Sequence, residues 1–259
     1  SAQLPFGRLG RPDALYRFHL GPHLGALTGV GVGGTSLINA GVMLKPKRLS
    51  VLPEAVSRSL EAGYETANAT LRPAPVPTRH VFGRSKAIVK SGHATFERVP
   101  LAVSYEAGQS SAGIPLAACT HCGNCITGCN VGAKGSLDTN YLPLAVRHGA
   151  EVFPGAEVLR VFRADGRWAV EVSFDELKRE RFEDTPLRVT AGVVVVAAGA
   201  LGSTELLWRS RARGLAVSSS LGTRFSGNGT ILGFTVGTAD EMNALGEASR
   251  RASGQVGPT

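Results

Sequence analysis

The sequence predicts an α/β fold that mixes into α+β, and three stretches carry that prediction. Val193-Val-Val-Val196 is a continuous β-branched run. That is how a strand buried on both faces of a parallel sheet reads. It turns at Ala198-Gly199 and Gly202 into a helix carrying Leu206, Leu207 and Trp208, with Ser203 or Thr204 as the expected cap. A strand that opens through small residues into a helix is where open α/β sheets hold ligands. The second stretch is Gly29-Val-Gly-Val-Gly-Gly-Thr-Ser-Leu-Ile-Asn-Ala-Gly41. Glycine lets backbone approach a ligand where a Cβ would clash and reaches positive φ cheaply. Backbone N–H groups and the amide of Asn39 could then read a polar ligand face. The third is a group of strands, Val152 to Phe162, Trp168 to Phe174 and Leu187 to Thr190. Their alternation predicts a small antiparallel unit that turns at Asp165-Gly166.

The remaining elements follow in chain order. No clear strand precedes Gly29, and no Asp or Glu follows at ribose distance. The glycine run therefore does not fit G-x-G-x-x-G in a βαβ unit. Pro53 to Leu71 reads as a helix with Val56, Leu60 and Tyr64 on one stripe, stopped by Pro73-Ala-Pro-Val-Pro77. His80 to Ser91 is a weaker helix, and Phe96 to Tyr105 a strand. Leu137 to His148 reads as a helix ending at Gly149.

All four cysteines lie in Cys119-Thr-His-Cys122-Gly-Asn-Cys125-Ile-Thr-Gly-Cys129. The spacing C-x2-C-x2-C-x3-C is that of a bacterial ferredoxin cluster run. Asn130 stands where ferredoxins usually carry Pro, and no second run accompanies it. The expected occupant of Cys119, Cys122, Cys125 and Cys129 is a [4Fe-4S] cluster, with Zn²⁺ as second choice because four thiolates also suit it. Free or redox-active thiols are the remaining option. His121 is either a further ligand or a solvent-facing residue. His19, His23, His80, His93 and His148 fit no ligand spacing and read as surface or capping residues.

The glycine and strand segments, taken with two others, resemble the glucose–methanol–choline oxidoreductase superfamily, most closely its cholesterol-oxidase branch. Gly29 to Gly41 matches a G-x-G-V-G-G-G-S-L-V-N-G-G segment, with Thr35 where that family usually has Gly. Ala133-Lys-Gly-Ser-Leu-Asp-Thr-Asn-Tyr-Leu142 matches G-K-x-S-L-D-x-x-Y-L. Ala198 to Leu207 matches G-A-G-S-L-G-S-T-E-L-L at a strand end. Ser226-Gly-Asn-Gly229 matches P-N-G with one departure. The matches occur in the family's order; the cysteines are not part of its pattern.

The resemblance implies FAD as cofactor and oxidation of the CH–OH group of an alcohol, often a sterol, with hydride passing to the flavin. It implies an FAD-binding Rossmann-like domain interleaved with a sheet-containing substrate domain, both incomplete. Residues 1–44 and 137–216 would be FAD-binding, and 45–136 and 217–259 substrate-binding. Gly33, Gly34, Thr35, Asn39 and Ala40 would line the flavin. Ala198 and Gly199 would abut the cofactor, with Val158 near its adenine side. The family's opening G-x-G-x-x-G strand and its C-terminal catalytic His and Asn find no match, so the chain reads as an internal piece of a longer enzyme, silent by itself.

Composition limits the rest. Lys+Arg 28 against Asp+Glu 20 gives +8, but the charge is spread and its densest clusters are short, so a solvated surface is expected and nucleic acid is not. No run is long and apolar enough to span a membrane. The implied partners are a small alcohol or sterol and an electron acceptor, either oxygen or a redox protein. The competing readings are an iron–sulfur electron-transfer module and a zinc-bearing nucleic-acid-binding module. Among compartments the cytoplasm is slightly favoured.

Overall fold

In the computed structural model the described residues are 2–4, 7–11, 13–46, 51–90, 92, 97–174 and 186–227. They fall into two compact units, one within residues 1–152 and the other within 153–234. The match at Asn228-Gly229, the sequence's end and the start of the expected Phe96 strand lie outside the described residues.

The first unit opens with β1 (Ala2–Leu4), β2 (Gly7–Leu9), β3 (Tyr16–Leu20) and β4 (Gly25–Gly29), in sheet order β2-β1-β3-β4. Here the sequence reading is corrected: a strand does precede the glycine run. β4 pairs antiparallel with β3 from Tyr16↔Gly29 to Leu20↔Gly25. Glycines bracket β4, and its one large apolar residue, Leu27, is exposed. No apolar alternation therefore marks it in the sequence.

The predicted first helix is present as α1 (Glu54–Leu71), with Arg72 in the left-handed region at its end. Its apolar stripe is not a core face, since Val56 and Leu60 are exposed and Tyr64 is half-buried. α2 (Gly83–Lys90) follows β5 (Ala74–Pro75), the strand that pairs with β6 (Pro100–Leu101). The expected strand from Phe96 to Tyr105 shrinks to β6 and a single bridge at Val103. Pro100 offers no N–H to a ladder, which shortens it.

What β6 lacks in length it gains in neighbours. Met43 donates to Pro100 O and Ala102 to Gly41 O on one side, at 2.9 and 2.8 Å. Gly135 donates to Ala102 O and Ser104 to Ala133 O on the other, both at 2.8 Å. The segment after the glycine run and the segment after the cysteines are thus stitched to one central strip. Leu101, Val103 and Ala133 form its buried core, with Cys119 and Cys129 packed against them. β7 (Gly108–Gln109) and β8 (Pro115–Leu116) make a short hairpin beyond it. A 3-10 turn at Leu137–Thr139 leads into α3 (Tyr141–Arg147), and Gly149 follows at φ 87° as the sequence anticipates.

The second unit is an antiparallel sheet of β9 (Glu157–Ala164), β10 (Arg167–Ser173) and β11 (Leu187–Ala191), order β11-β10-β9. The turn falls at Asp165-Gly166 as predicted, with both residues at positive φ, 50° and 72°. That is the two-residue geometry whose twist suits a hairpin. β9 starts later than Val152 because Pro154-Gly155 forms a turn first.

Two expectations fail in this unit. The Val193 run is not a buried strand: residues 193–197 are in no strand, and Val193 and Val195 are 77% and 81% exposed. A β-branched run becomes a strand only beside partners, and none of the described strands pairs with it. The following helix, α4 (Gly199–Ala212), starts earlier than expected, so neither Ser203 nor Thr204 caps it. The Thr204 hydroxyl instead donates back to Ala200 O at 2.7 Å. α4 packs on β9, where Ser210 Oγ accepts from the Val161 N–H at 2.9 Å and donates to Leu206 O at 2.7 Å.

Candidate functional site

The glycine run leaves β4 and coils into a 3-10 turn over Gly34–Leu37. Gly33 sits at φ 109° and Gly34 at φ 56°, a region L side chains avoid. The coil is tight on its inner side. A Cβ on Gly29 would stand 2.7 Å from Gly34 O, and one on Gly33 would press on Ser36 and Leu37. Its outer side is open, because a Cβ on Gly34 would meet nothing within 4 Å. Thr35, the departure from the family pattern, closes the coil: its Oγ1 accepts from the Gly29 N–H at 3.3 Å. Asn39 is exposed, and its Oδ1 accepts from the Gly41 N–H at 3.1 Å; Ala40 beside it is half-buried. A backbone turn with its glycine face open fits a flat cofactor laid against it.

One side chain holds this turn from behind. Lys134 is 4% exposed. Its Nζ donates to Leu37 O at 3.1 Å, Asn39 O at 2.5 Å and Cys125 O at 3.1 Å. A single ammonium thus ties the glycine turn to the cysteine loop. Burial lowers the Lys134 pKa, and Cys125, Cys129 and Asp138 oppose that shift. Ser36 adds a second tie, its hydroxyl accepting from the Leu137 N–H at 3.1 Å. In the sequence Lys134 stands out only as part of the Ala133–Leu142 match. Its signal was a lone cation among small residues, Ala133 and Gly135.

The cysteine loop is built to curl. His121, Gly123, Gly128 and Cys129 all take positive φ. A 3-10 turn spans Cys125–Thr127, and Thr127 and Cys129 both donate to Asn124 O at 3.3 Å. Cys125 is buried and the other three thiols are half-buried; none of the four is in a disulfide. The His121 N–H donates to Cys119 Sγ at 3.4 Å. Burial pushes the Cys119 thiol up to about 11. Among the described residues, no three His, Cys, Asp or Glu side chains stand close enough, as placed, to hold a metal ion.

The histidine expectations need correction here. His121 is 8% exposed and does not face solvent. Its ring lies 4.1 Å from that of His80, 5.3 Å from Phe82 and 6.1 Å from Tyr105. Burial lowers its pKa, and His80 and Arg79 lower it further. His80, read as a surface residue, is half-buried in this ring cluster. His19 is half-buried with Nε2 3.0 Å from Thr28 Oγ1.

In the second unit, Val158 is half-buried on β9, and its carbonyl accepts from Arg209 Nη2 at 3.3 Å. Ala198 and Gly199 are exposed at the start of α4. Gly199 sits at φ 72° with nothing within 4 Å of a built Cβ.

A mixed helix-and-sheet chain with an open glycine turn is consistent with an FAD-binding domain. Comparison with known proteins gives the family. The GMC oxidoreductase family model matches residues 22–226, and the chain belongs to that family of FAD-binding oxidoreductases. An uncharacterized GMC-type oxidoreductase of Mycobacterium tuberculosis is 34% identical over 197 residues, covering 70% of this chain and 28% of that protein. A cholesterol oxidase of the same species is 41% identical over 106 residues, 40% of this chain and 18% of the relative. A cholesterol oxidase of Acinetobacter baumannii is 35% identical over 122 residues, 44% and 22% of the two chains. The chain thus spans less than a third of the length of each of these relatives.

Proposed function

We propose that the full-length protein is an FAD-dependent oxidoreductase acting on the CH–OH group of an alcohol, with sterols the first substrate class to test. The observation that carries this reading is the glycine turn: its inner face is closed by Thr35, its outer face is open at Gly34, and Lys134 ties it to the cysteine loop. Bound there, FAD would supply the hydride acceptor. The chain's own part is to hold and shape. Gly33, Gly34, Thr35, Asn39 and Ala40 line the flavin, and missing Cβ atoms let the backbone reach it. In the second unit, Ala198 and Gly199 abut the cofactor and Val158 lies toward its adenine side. Residues 1–44 and 137–216 serve the cofactor, and 45–136 with 217–259 serve the substrate. The cholesterol oxidases among the relatives support the sterol reading. Family membership does not favour the electron-transfer or nucleic-acid alternatives.

The test uses the full-length protein as purified. Two resolved visible absorption bands of bound flavin are expected, bleached anaerobically by a sterol or a simpler alcohol. Repeating turnover with dioxygen and then with a one-electron dye assigns the acceptor class. Protein that binds no flavin on reconstitution, or flavin that no alcohol bleaches, overturns the proposal.

A further inference from the structure

The buried Lys134 side chain has hydrogen-bond partners but no paired charge. Its Nζ donates to three carbonyl oxygens, those of Leu37, Asn39 and Cys125. Three donations need the ammonium form, since a neutral amine has only two N–H groups. Among the described residues no carboxylate forms an ion pair with it. Asp138 acts on it only from further off and accepts from the Ser136 hydroxyl instead. A buried cation held by neutral groups alone is a cost to the fold, and a negative group nearby offsets it.

The same contact sets the direction of a backbone donor. Asn39 O is the nearest of the three acceptors, 2.5 Å from Nζ. No described peptide is cis. In a trans peptide the C=O and N–H point in opposite directions, so the Ala40 N–H points away from Lys134. The neighbouring N–H groups are spent inside the turn. Those of Ile38 and Asn39 donate to Thr35 O at 3.1 Å, and that of Gly41 to Asn39 Oδ1 at 3.1 Å. The Ala40 N–H has no acceptor among the described residues, and Ala40 is only half-buried. A cation on the carbonyl draws electron density from the peptide and strengthens its N–H as a donor.

We propose that Lys134 fixes and polarises the Asn39–Ala40 peptide so that the Ala40 N–H donates to the hydride-accepting ring of FAD, with the Lys134 charge favouring the reduced ring. This rests on the flavin reading above. A hydride brings two electrons and one proton to a neutral ring, and so leaves one negative charge there. A fixed cation and a fixed donor favour that charged product over the neutral ring. Lys134 is thus a positioning residue that raises the reduction potential of the cofactor, and Ala40 contributes through its backbone. The ring is favoured over the diphosphate because the peptide follows the glycine coil, whose open side at Gly34 suits a flat face.

The test uses the full-length protein, stripped of flavin and reconstituted with excess FAD. Lys134→Gln keeps a polar side chain and removes the charge. It should weaken binding of reduced FAD about tenfold more than binding of oxidised FAD, a fall in midpoint potential of about 30 mV. Lys134→Arg keeps the charge and should restore most of that potential, which a merely structural lysine would not require. Equal weakening of both forms would place the counter-charge on the diphosphate, charged in either form, and overturns the proposal. So does a Lys134→Gln potential equal to that of wild type. If Lys134→Gln holds no flavin, the wild-type protein decides. Amide exchange at Ala40, read by mass spectrometry with and without FAD, should slow about tenfold or more on binding, as a newly formed hydrogen bond requires. Flavin bound with Ala40 exchange unchanged overturns this proposal alone; wild-type protein that binds no flavin overturns the flavin reading and this with it.

Discussion

The two units hold themselves together in opposite ways. The second is a regular ladder: β9, β10 and β11 exchange backbone bonds along their length, and a helix lies over one edge. The first, around the candidate site, has strands of only two residues at its centre. Its long-range order comes from isolated backbone bonds and from side chains that reach carbonyls, chiefly Lys134. In a ladder, losing one group is shared among neighbours. In the clamp it is not. An open turn that must leave one face free for a cofactor cannot also be paired on that face, so its support has to come from behind.

That contrast can be broken at its strongest point. Lys134→Met takes the Lys134 donor from three carbonyl oxygens, one buried at Cys125 and two part-buried at Leu37 and Asn39. It should destabilise the first unit by about 3 kcal/mol, in line with opening a buried hydrogen-bonded charge, and should release flavin from the full-length protein. Denaturant unfolding and flavin content measure the two effects; a neutral variant would show that the backbone bonds suffice. Gly199→Val forces a β-branched residue to φ 72°. It should cost about 2 kcal/mol and, if Gly199 abuts the cofactor, lower flavin occupancy beyond what stability explains. Full flavin content would remove Gly199 from the site.

Ser210→Ala probes the ladder. It leaves the Val161 N–H without its acceptor under a residue only 1% exposed. About 1–2 kcal/mol should be lost, with faster amide exchange at Val161 and little change at Val170. Asn39→Leu sharpens the comparison from the site side. Asn39 is exposed and its side chain bonds locally to the Gly41 N–H, so stability should fall by less than about 1 kcal/mol while flavin retention weakens. Equal retention would take Asn39 out of the flavin lining. Arg160→Gln should be the mildest. Arg160 pairs with Glu171 across β9 and β10 and lies over the Phe162 ring, a cross-strand contribution of about 0.5 kcal/mol. Thermal unfolding at low and high salt would read it, and a larger loss would mean the ladder too depends on single side chains.

The same contrast governs what could be read from the residues. The hairpin was legible because alternation and an Asp-Gly turn are local signals, and Asp165-Gly166 falls where they place it. α1 was legible from its period and its proline stop, though its stripe turned out to be exposed. The Val193 run misled because a β-branched stretch states what a strand needs and not whether a partner lies beside it. β4 was missed because glycine masks a strand as readily as it marks a loop. The glycine turn was legible as a ligand loop. Its clamp was not, since nothing in Ala133-Lys134-Gly135 says which carbonyls an ammonium will find 95 and 97 residues away.

Those separations also set an order of events. The β3–β4 hairpin is made early, and its Tyr16 hydroxyl donates to Ile126 O, 110 residues further along. At a synthesis rate of roughly 5–20 residues per second, the partner emerges about 5–20 s after the tyrosine. Through that interval the glycine turn has neither its lysine nor its cysteine loop. Closing so long a loop is entropically slow but only modestly more costly than closing a shorter one. The glycine turn is therefore made well before the residues that fix it, and any cofactor that needs the finished turn must wait for Lys134 to leave the ribosome.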